Sequence, residues 1–349
     1  MRRSLVSLLS VIILTSSFNL NIFAKTNDNL IEMKEVEVEA YEYIQKVSDE
    51  FWEDWKGANL GKGLTLYDFE GNITAYLFPV QVDDNKKGYV IFSANKMLPG
   101  LIESAREGGH PYENVNGKLI YVGPLMYFSK KNFSDSKIFD IRMSKNIDKV
   151  KLKSKGPLSS ENIAKFAETN NDISNNSIYA TSSSQYKLIS GVPDFQWYIG
   201  CSPTSGANII KWWDNNGKSN LVSTSTSINA LIRTLAEYMG TNWSTGGTAV
   251  SDMAYGIRQY ISSKGYTSSV TMHRDPSFST YKSEISNGRP NWVTTLNHPT
   301  YDTHAVTGVG YEDIGYMNAI VHDTWGSTSR DVWLRWNSYF HYVINVRVY

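Results

Sequence analysis

Cysteine is almost missing from this chain of 349 residues, which holds one, Cys201. An intramolecular disulfide is therefore excluded, as are the thiolate zinc sites that need several cysteines. No His-Glu-x-x-His run is present, so the helix-borne zinc site of many metallopeptidases is missing too. The expectation is an activity with no metal and no cofactor. An excess of one charge is also lacking, since 34 Lys and Arg balance 34 Asp and Glu. That balance gives no electrostatic reason to expect nucleic acid, an acidic polymer or an anionic membrane as partner. Beyond residue 24 no stretch approaches the ~20 apolar residues that a membrane-spanning helix needs. Hydrophobic residues still make up 41% of the chain, enough for real cores and against global disorder.

The N-terminus reads as an export signal over residues 1–24. Arg2 and Arg3 are the charged start, Leu5 to Ser16 the apolar run, and Ile22-Phe23-Ala24 the cleavage site. The mature protein is then expected to be secreted or at the cell surface, with no membrane attachment after cleavage. No cysteine follows Ala24 directly, so a lipid anchor has no attachment residue. A lone exported thiol is an oxidation liability unless it is buried or used. About 325 residues remain, which suggests two domains.

Glu35 to Trp55 spaces Val36, Ala40, Ile44, Val47, Phe51 and Trp55 as one face of a helix. The period then shortens to that of strands, at 64–67, 73–80, 88–93, 119–123 and 125–128. This predicts a small α+β domain with an antiparallel sheet, within residues 25–169, including a short helix at 161–168. An Asn- and Ser-rich linker follows over 170–187, a composition that favours exposed, protease-sensitive loops. Eight of the ten tryptophans lie beyond it. Residues 188–349 predict helices at 203–215, 227–238, 249–263 and 278–287. Strands follow at 291–296, 304–311, 319–323, 332–336 and 342–348, so helices come first and an antiparallel sheet last.

Pro203 fits the first turn of a helix, where its missing N–H costs little, which places Cys201 at the helix start. There the free backbone N–H groups and the helix dipole favour the thiolate, the nucleophilic form. A base is needed next. His304 heads the strand-like run Ala305-Val306-Thr307-Gly308-Val309-Gly310-Tyr311 and is the best placed of six histidines. His322, near the end of a similar strand, and His298, in an Asn-His-Pro turn, are the rivals. Asp323 closes the next strand. If the two strands pair as a hairpin, it comes near His304 and can orient the imidazole. His322 and Asp323 then point to opposite faces. Gln196, on the approach to Cys201, offers an amide donor for an oxyanion.

The stretch Gln196 to Asn208, with Gly200-Cys201-Ser202-Pro203-Thr204, the His304 to Tyr311 run and Asp323-Thr324-Trp325 together resemble the papain-like cysteine peptidases. The likeness is to the bacteriocin-processing (double-glycine leader) branch in a secreted, stand-alone form. The resemblance spans about residues 188–349 and implies Cys201 as nucleophile, His304 as base, Asp323 as orienter and Gln196 as oxyanion donor. Ser202 stands where the family commonly has Gly, and Gln196 lies five residues before Cys201 where six is more familiar. Without an ATPase or membrane segment, a leader-cleaving exporter is not expected. In the first domain, Gly88 to Pro99 resembles the propeptides of streptopain-type peptidases.

The expectation is an α+β papain-like cysteine peptidase domain preceded by a small α+β propeptide-like domain. It would be made as a zymogen whose own N-terminal domain is an intramolecular inhibitor or folding aid, with a peptide or protein as substrate. Two other readings remain open: a hydrolase of peptidoglycan stem peptides with the same triad, and a non-catalytic binding module on the same fold.

Overall fold

The computed structural model describes residues 29–98, 100–148, 184–295, 304–336 and 340–349. The expected export signal, the helix at 161–168, the linker as far as 183 and His298 lie outside the described residues.

Helix α1 (Met33–Glu50) forms where the spacing predicts and buries Val36, Ala40, Tyr43, Ile44 and Val47. It stops earlier than expected, and Glu53–Trp55 make a separate 3-10 turn that buries Trp55. The strands that follow are β1 (Asn59–Leu60), β2 (Leu64–Tyr67), β3 (Ile73–Val82), β4 (Asn85–Ser93) and β5 (Leu101–Ala105). Next come β6 (Lys118–Tyr121), β7 (Tyr127–Lys130), β8 (Lys137–Asp140) and β9 (Lys145–Asp148). In β4, Tyr89 to Ser93 are all buried, so this strand reads as a continuous apolar run rather than an alternating one.

The second half opens with β10 (Gln185–Leu188), inside the stretch expected to be linker. Its residues are half-exposed and polar, but they pair antiparallel with Gly310–Asp313. Helices α2 (Cys201–Asn215), α3 (Ile228–Tyr238) and α4 (Val250–Ser263) precede strand β11 (Ser268–Arg274) and helix α5 (Phe278–Ser286). The chain ends in β12 (Asn291–Thr295), β13 (Ala305–Asp313), β14 (Met317–His322), β15 (Val332–Arg335) and β16 (Phe340–Val348). The mixed α+β layout therefore stands.

The two halves do not keep separate sheets. Their strands run in one order, β11-β16-β12-β13-β14-β15-β5-β4-β3-β2-β6-β7-β8-β9, with β1 on β3 and β10 on β13. The junction is β5 against β15, antiparallel, with Ala105, Ser104 and Glu103 opposite Val332, Trp333 and Leu334. Nor do they keep separate cores: one cluster joins Leu77 and Tyr127 to Val306 and Trp333, and another joins Tyr43 and Phe92 to Ile314 and Tyr316. Beside the junction, Arg106 donates to Glu312, with both side chains fully buried. The Arg106 guanidinium also stacks 4.2 Å from the Trp333 ring centroid. Among the described residues no helix is long and apolar enough to cross a membrane.

Candidate active site

Helix α2 starts at Cys201 itself, after Gly200 in extended backbone. A side chain at position 200 would put Cβ 2.4 Å from the Gly246 carbonyl oxygen, so glycine is what lets the 242–248 loop close on the helix start. The small residues after Pro203 let the helix sit close on the sheet. At Gly206 a Cβ would stand 2.6 Å from the Trp292 ring. Polar bonds then fix the register between helix and strand. Asn208 donates to the Thr307 hydroxyl at 3.1 Å and accepts from the Phe195 N–H at 3.0 Å. Thr307 donates in turn to the Ser205 carbonyl at 3.2 Å. One amide thus ties the cysteine loop, its helix and the strand that His304 precedes.

Cys201 is half-buried, and the backbone N–H groups of Ser202 and Ala305 and the Ser202 hydroxyl lie near enough to its sulfur to favour the thiolate. The Ala305 N–H belongs to the peptide that follows His304, and Cys201 and His304 line one cavity, so candidate nucleophile and candidate base are brought together. These donors pull toward the thiolate, as a helix start should. Burial is the larger effect, however, and it pushes the thiol above its ordinary value. The helix start pulls in the expected direction, and burial pulls harder in the opposite one.

His304 lies just before β13, its ring stacked on Trp325 with centroids 4.6 Å apart and planes 12° off parallel. Its Nε2 is 3.0 Å from the Asp323 backbone carbonyl. A carbonyl only accepts, so Nε2 carries the proton and Nδ1 is the basic nitrogen. Burial first, and the nearby Arg142 charge second, lower His304 to about 3, outweighing the Asp323 bond. Burial thus favours a neutral thiol and a neutral imidazole.

The hairpin of β13 and β14 forms, with Thr307 opposite His322, and it places Asp323 beside His304. The contact runs through the main chain rather than the carboxylate. The Asp323 carboxylate accepts from the Trp325 N–H at 2.9 Å and from the Thr328 hydroxyl at 2.8 Å. It is fully buried, and burial raises it well above the ordinary range. Between the two, Thr324 has φ +71°, an outlier for a β-branched residue. That twist points the Thr324 carbonyl to the Trp197 N–H at 2.8 Å while the Asp323 carbonyl meets His304.

Gln196 lies one compartment away. Its amide packs against Gly326 in a cavity of about 560 Å³ with Thr324 to Ser327, whereas Cys201, Ser202 and His304 line a cavity of about 500 Å³. Trp197 and Trp325 border both, and so do Arg142, Met143 and Lys145 from the N-terminal half. His322 does not join the site. It is buried, with Nδ1 2.8 Å from the Pro193 carbonyl and Nε2 2.8 Å from Asp331. Neighbouring Asp194 is raised to about 6 by burial, against the lowering effect of His322 and Arg330.

Sequence reasoning missed Arg142, Thr307 and the ring of Trp325 as parts of the site. Only Trp325 left a signal, as the aromatic two residues after Asp323.

Residues 181–342 match a model of the Peptidase_C39 like family. The matched stretch holds Cys201, His304, Asp323 and Gln196 and leaves the first 180 residues outside it. A crystal structure described as that of a C39-like peptidase from Bacillus anthracis is similar at 15% identity and a TM-score of 0.33, covering 47% of this chain and 98% of that one. No curated protein matches the chain. The C39-like half thus supports a cysteine peptidase at the level of the family.

Proposed function

We propose that this protein is an exported cysteine peptidase, made as a zymogen, in which Cys201 attacks the peptide carbonyl. The observation that carries the reading is the Cys201 side chain at a helix start, sharing one cavity with His304.

His304 Nδ1 takes the thiol proton as sulfur adds to the carbonyl, then returns it to the leaving amine. Water repeats the sequence on the thioester. The Asp323 carbonyl holds the Nε2 proton throughout and keeps the ring in one tautomer. Backbone N–H groups at the start of α2 face the developing oxyanion, and Gln196 is the further donor once its compartment joins that of Cys201.

The test is hydrolysis of casein and of a fluorogenic peptide by the wild type and by Cys201→Ala, with intact masses of both secreted chains. The wild type is expected to hydrolyse peptide and to shorten its own chain, and Cys201→Ala to do neither. Equal hydrolysis by both would overturn the proposal.

A further inference from the structure

The N-terminal half touches the C39-like half in two ways that differ in strength. At the junction, β5 and β15 share backbone hydrogen bonds, Arg106 and Glu312 form a fully buried ion pair, and hydrophobic clusters run across both halves. Tyr316 also donates to Glu39 at 2.5 Å, fastening α1 to the turn between β13 and β14. A contact of this kind is a domain core rather than a surface docking, and removing one partner of a buried pair alone is strongly destabilising.

The strap over 141–148 is built otherwise. Among the described residues its strand β9 ends the sheet and pairs with β8 alone, and it is exposed along most of its length. The strap lines both cavities, so its turn crosses between the Gln196 compartment and the Cys201 compartment. Arg142 is held within its own half by three bonds to Asp140, two of them from the guanidinium at 3.0 and 2.8 Å, and by the Phe128 ring, 4.7 Å from its centroid; it also lies over the Trp325 ring at 5.2 Å. Trp325 is the ring on which His304 stacks. The Arg142 side chain is itself buried, 3% exposed, so the strap rests on the C39-like half through this desolvated cation–ring contact while β9 stays exposed.

We propose that the N-terminal half is a permanent partner of the C39-like half and that only the strap 141–148 gates the cleft. Cutting the chain between the halves then leaves a two-fragment protein, and the site opens by displacement of the strap with β5 still paired to β15. That the strap controls peptide hydrolysis rests on Cys201 being the nucleophile of a peptidase; the strap's cover of Cys201 and the retention of the N-terminal half do not.

The test places a site-specific protease sequence between residues 150 and 183, cuts it, and follows gel filtration together with the rate at which iodoacetamide labels Cys201. The two fragments are expected to co-elute in native buffer, with labelling unchanged by the cut. Arg142→Ala in the uncut chain is expected to speed labelling at least about fivefold through loss of the cation–ring contact. Hydrogen exchange on the wild type needs no variant: amides of 145–148 should exchange well before those of 101–105 and 332–335. Separation of the fragments with faster labelling of the freed C-terminal piece overturns the proposal, as does exchange at the junction as fast as in the strap. Labelling reads the gate whether or not the protein cleaves peptides. A strap-dependent labelling rate without any hydrolysis would therefore count against the peptidase and leave the gate standing.

Discussion

His304 and His322 stand at the open ends of neighbouring strands, nineteen and one residues away from Asp323, and they are put to opposite uses. The ring of His304 has one nitrogen on a carbonyl, one face on Trp325, and an edge on the cavity it shares with Cys201. The ring of His322 has both nitrogens committed, to the Pro193 carbonyl and to Asp331, in a buried position. Both of those partners are acceptors, so neither nitrogen is left over to serve a substrate. A histidine with a basic nitrogen to spare can move a proton, whereas one saturated by acceptors is a clamp. The clamp here joins the chain leading into Gln196 and Cys201 to the loop before β15.

The comparison breaks most sharply on activity. Assayed in an Arg142→Ala background, His304→Ala is expected to lower kcat for peptide hydrolysis by about 10²–10⁴-fold, the span for loss of a general base. His322→Ala in the same background should retain most of kcat per folded molecule. A kcat loss of similar size for both variants would erase the distinction between base and clamp.

Stability should rank them the other way. His322→Ala leaves a buried carbonyl and a carboxylate without their donor, at about 1–3 kcal/mol for each acceptor that water does not reach. A lowered urea midpoint at unchanged slope is the expected readout. His304→Ala removes one bond at the edge of a cavity and should shift that midpoint less.

Acid sensitivity separates the two further. Burial holds His304 at about 3, far below its unfolded value. The unfolded chain therefore binds this proton first as pH falls, and the native state loses stability from about pH 6.5 downward. Asp194 works in the opposite direction: raised to about 6, it contributes stability in acid that fades as pH rises toward 6. His304→Asn should flatten the fall in urea midpoint between pH 6.5 and 4, and Asp194→Asn should steepen it. An unaltered acid limb in His304→Asn would show that this imidazole is not buried neutral.

The elements of the C39-like half were legible because its helices and central strands carry strong periods, and Pro203 marked the start of α2 to within two residues. The two residues that line one cavity, Cys201 and His304, had been singled out in the sequence, since a lone cysteine and a strand-heading histidine are local signals. What the sequence hid was relational. Strand β5 was missed because Glu103 interrupts Leu101-Ile102-Glu-Ser-Ala, and only the fold supplies Tyr89, Tyr121 and Tyr127 to bond that buried carboxylate. Strand β11 was missed because it is a polar, half-exposed strand, paired among the described residues to β16 alone. The junction between the halves follows from β5, so the two expected domains gave no hint of the clusters they share. Thr324 could not be foreseen either, since nothing in a Thr codes for positive φ. That twist is what exchanges the Asp323 carboxylate for its carbonyl at His304.

The smallest expected effect is therefore the one that tests the Asp323 geometry most directly. If the carboxylate were the orienter, Asp323→Asn would present a donor or a weaker acceptor to the imidazole, disturb the tautomer and reduce kcat severely. In the observed arrangement the side chain braces the 323–325 turn by accepting from Trp325 and Thr328, and an amide oxygen at the same place still accepts. The carbonyl that meets His304 is untouched by the substitution. Asp323→Asn should then cost less than about tenfold in kcat, well below the loss for His304→Ala. Asp323→Ala, which removes the brace and frees Thr324 from its strained φ, should cost more than Asp323→Asn. Equal and severe losses in both variants would return the orienting role to the carboxylate.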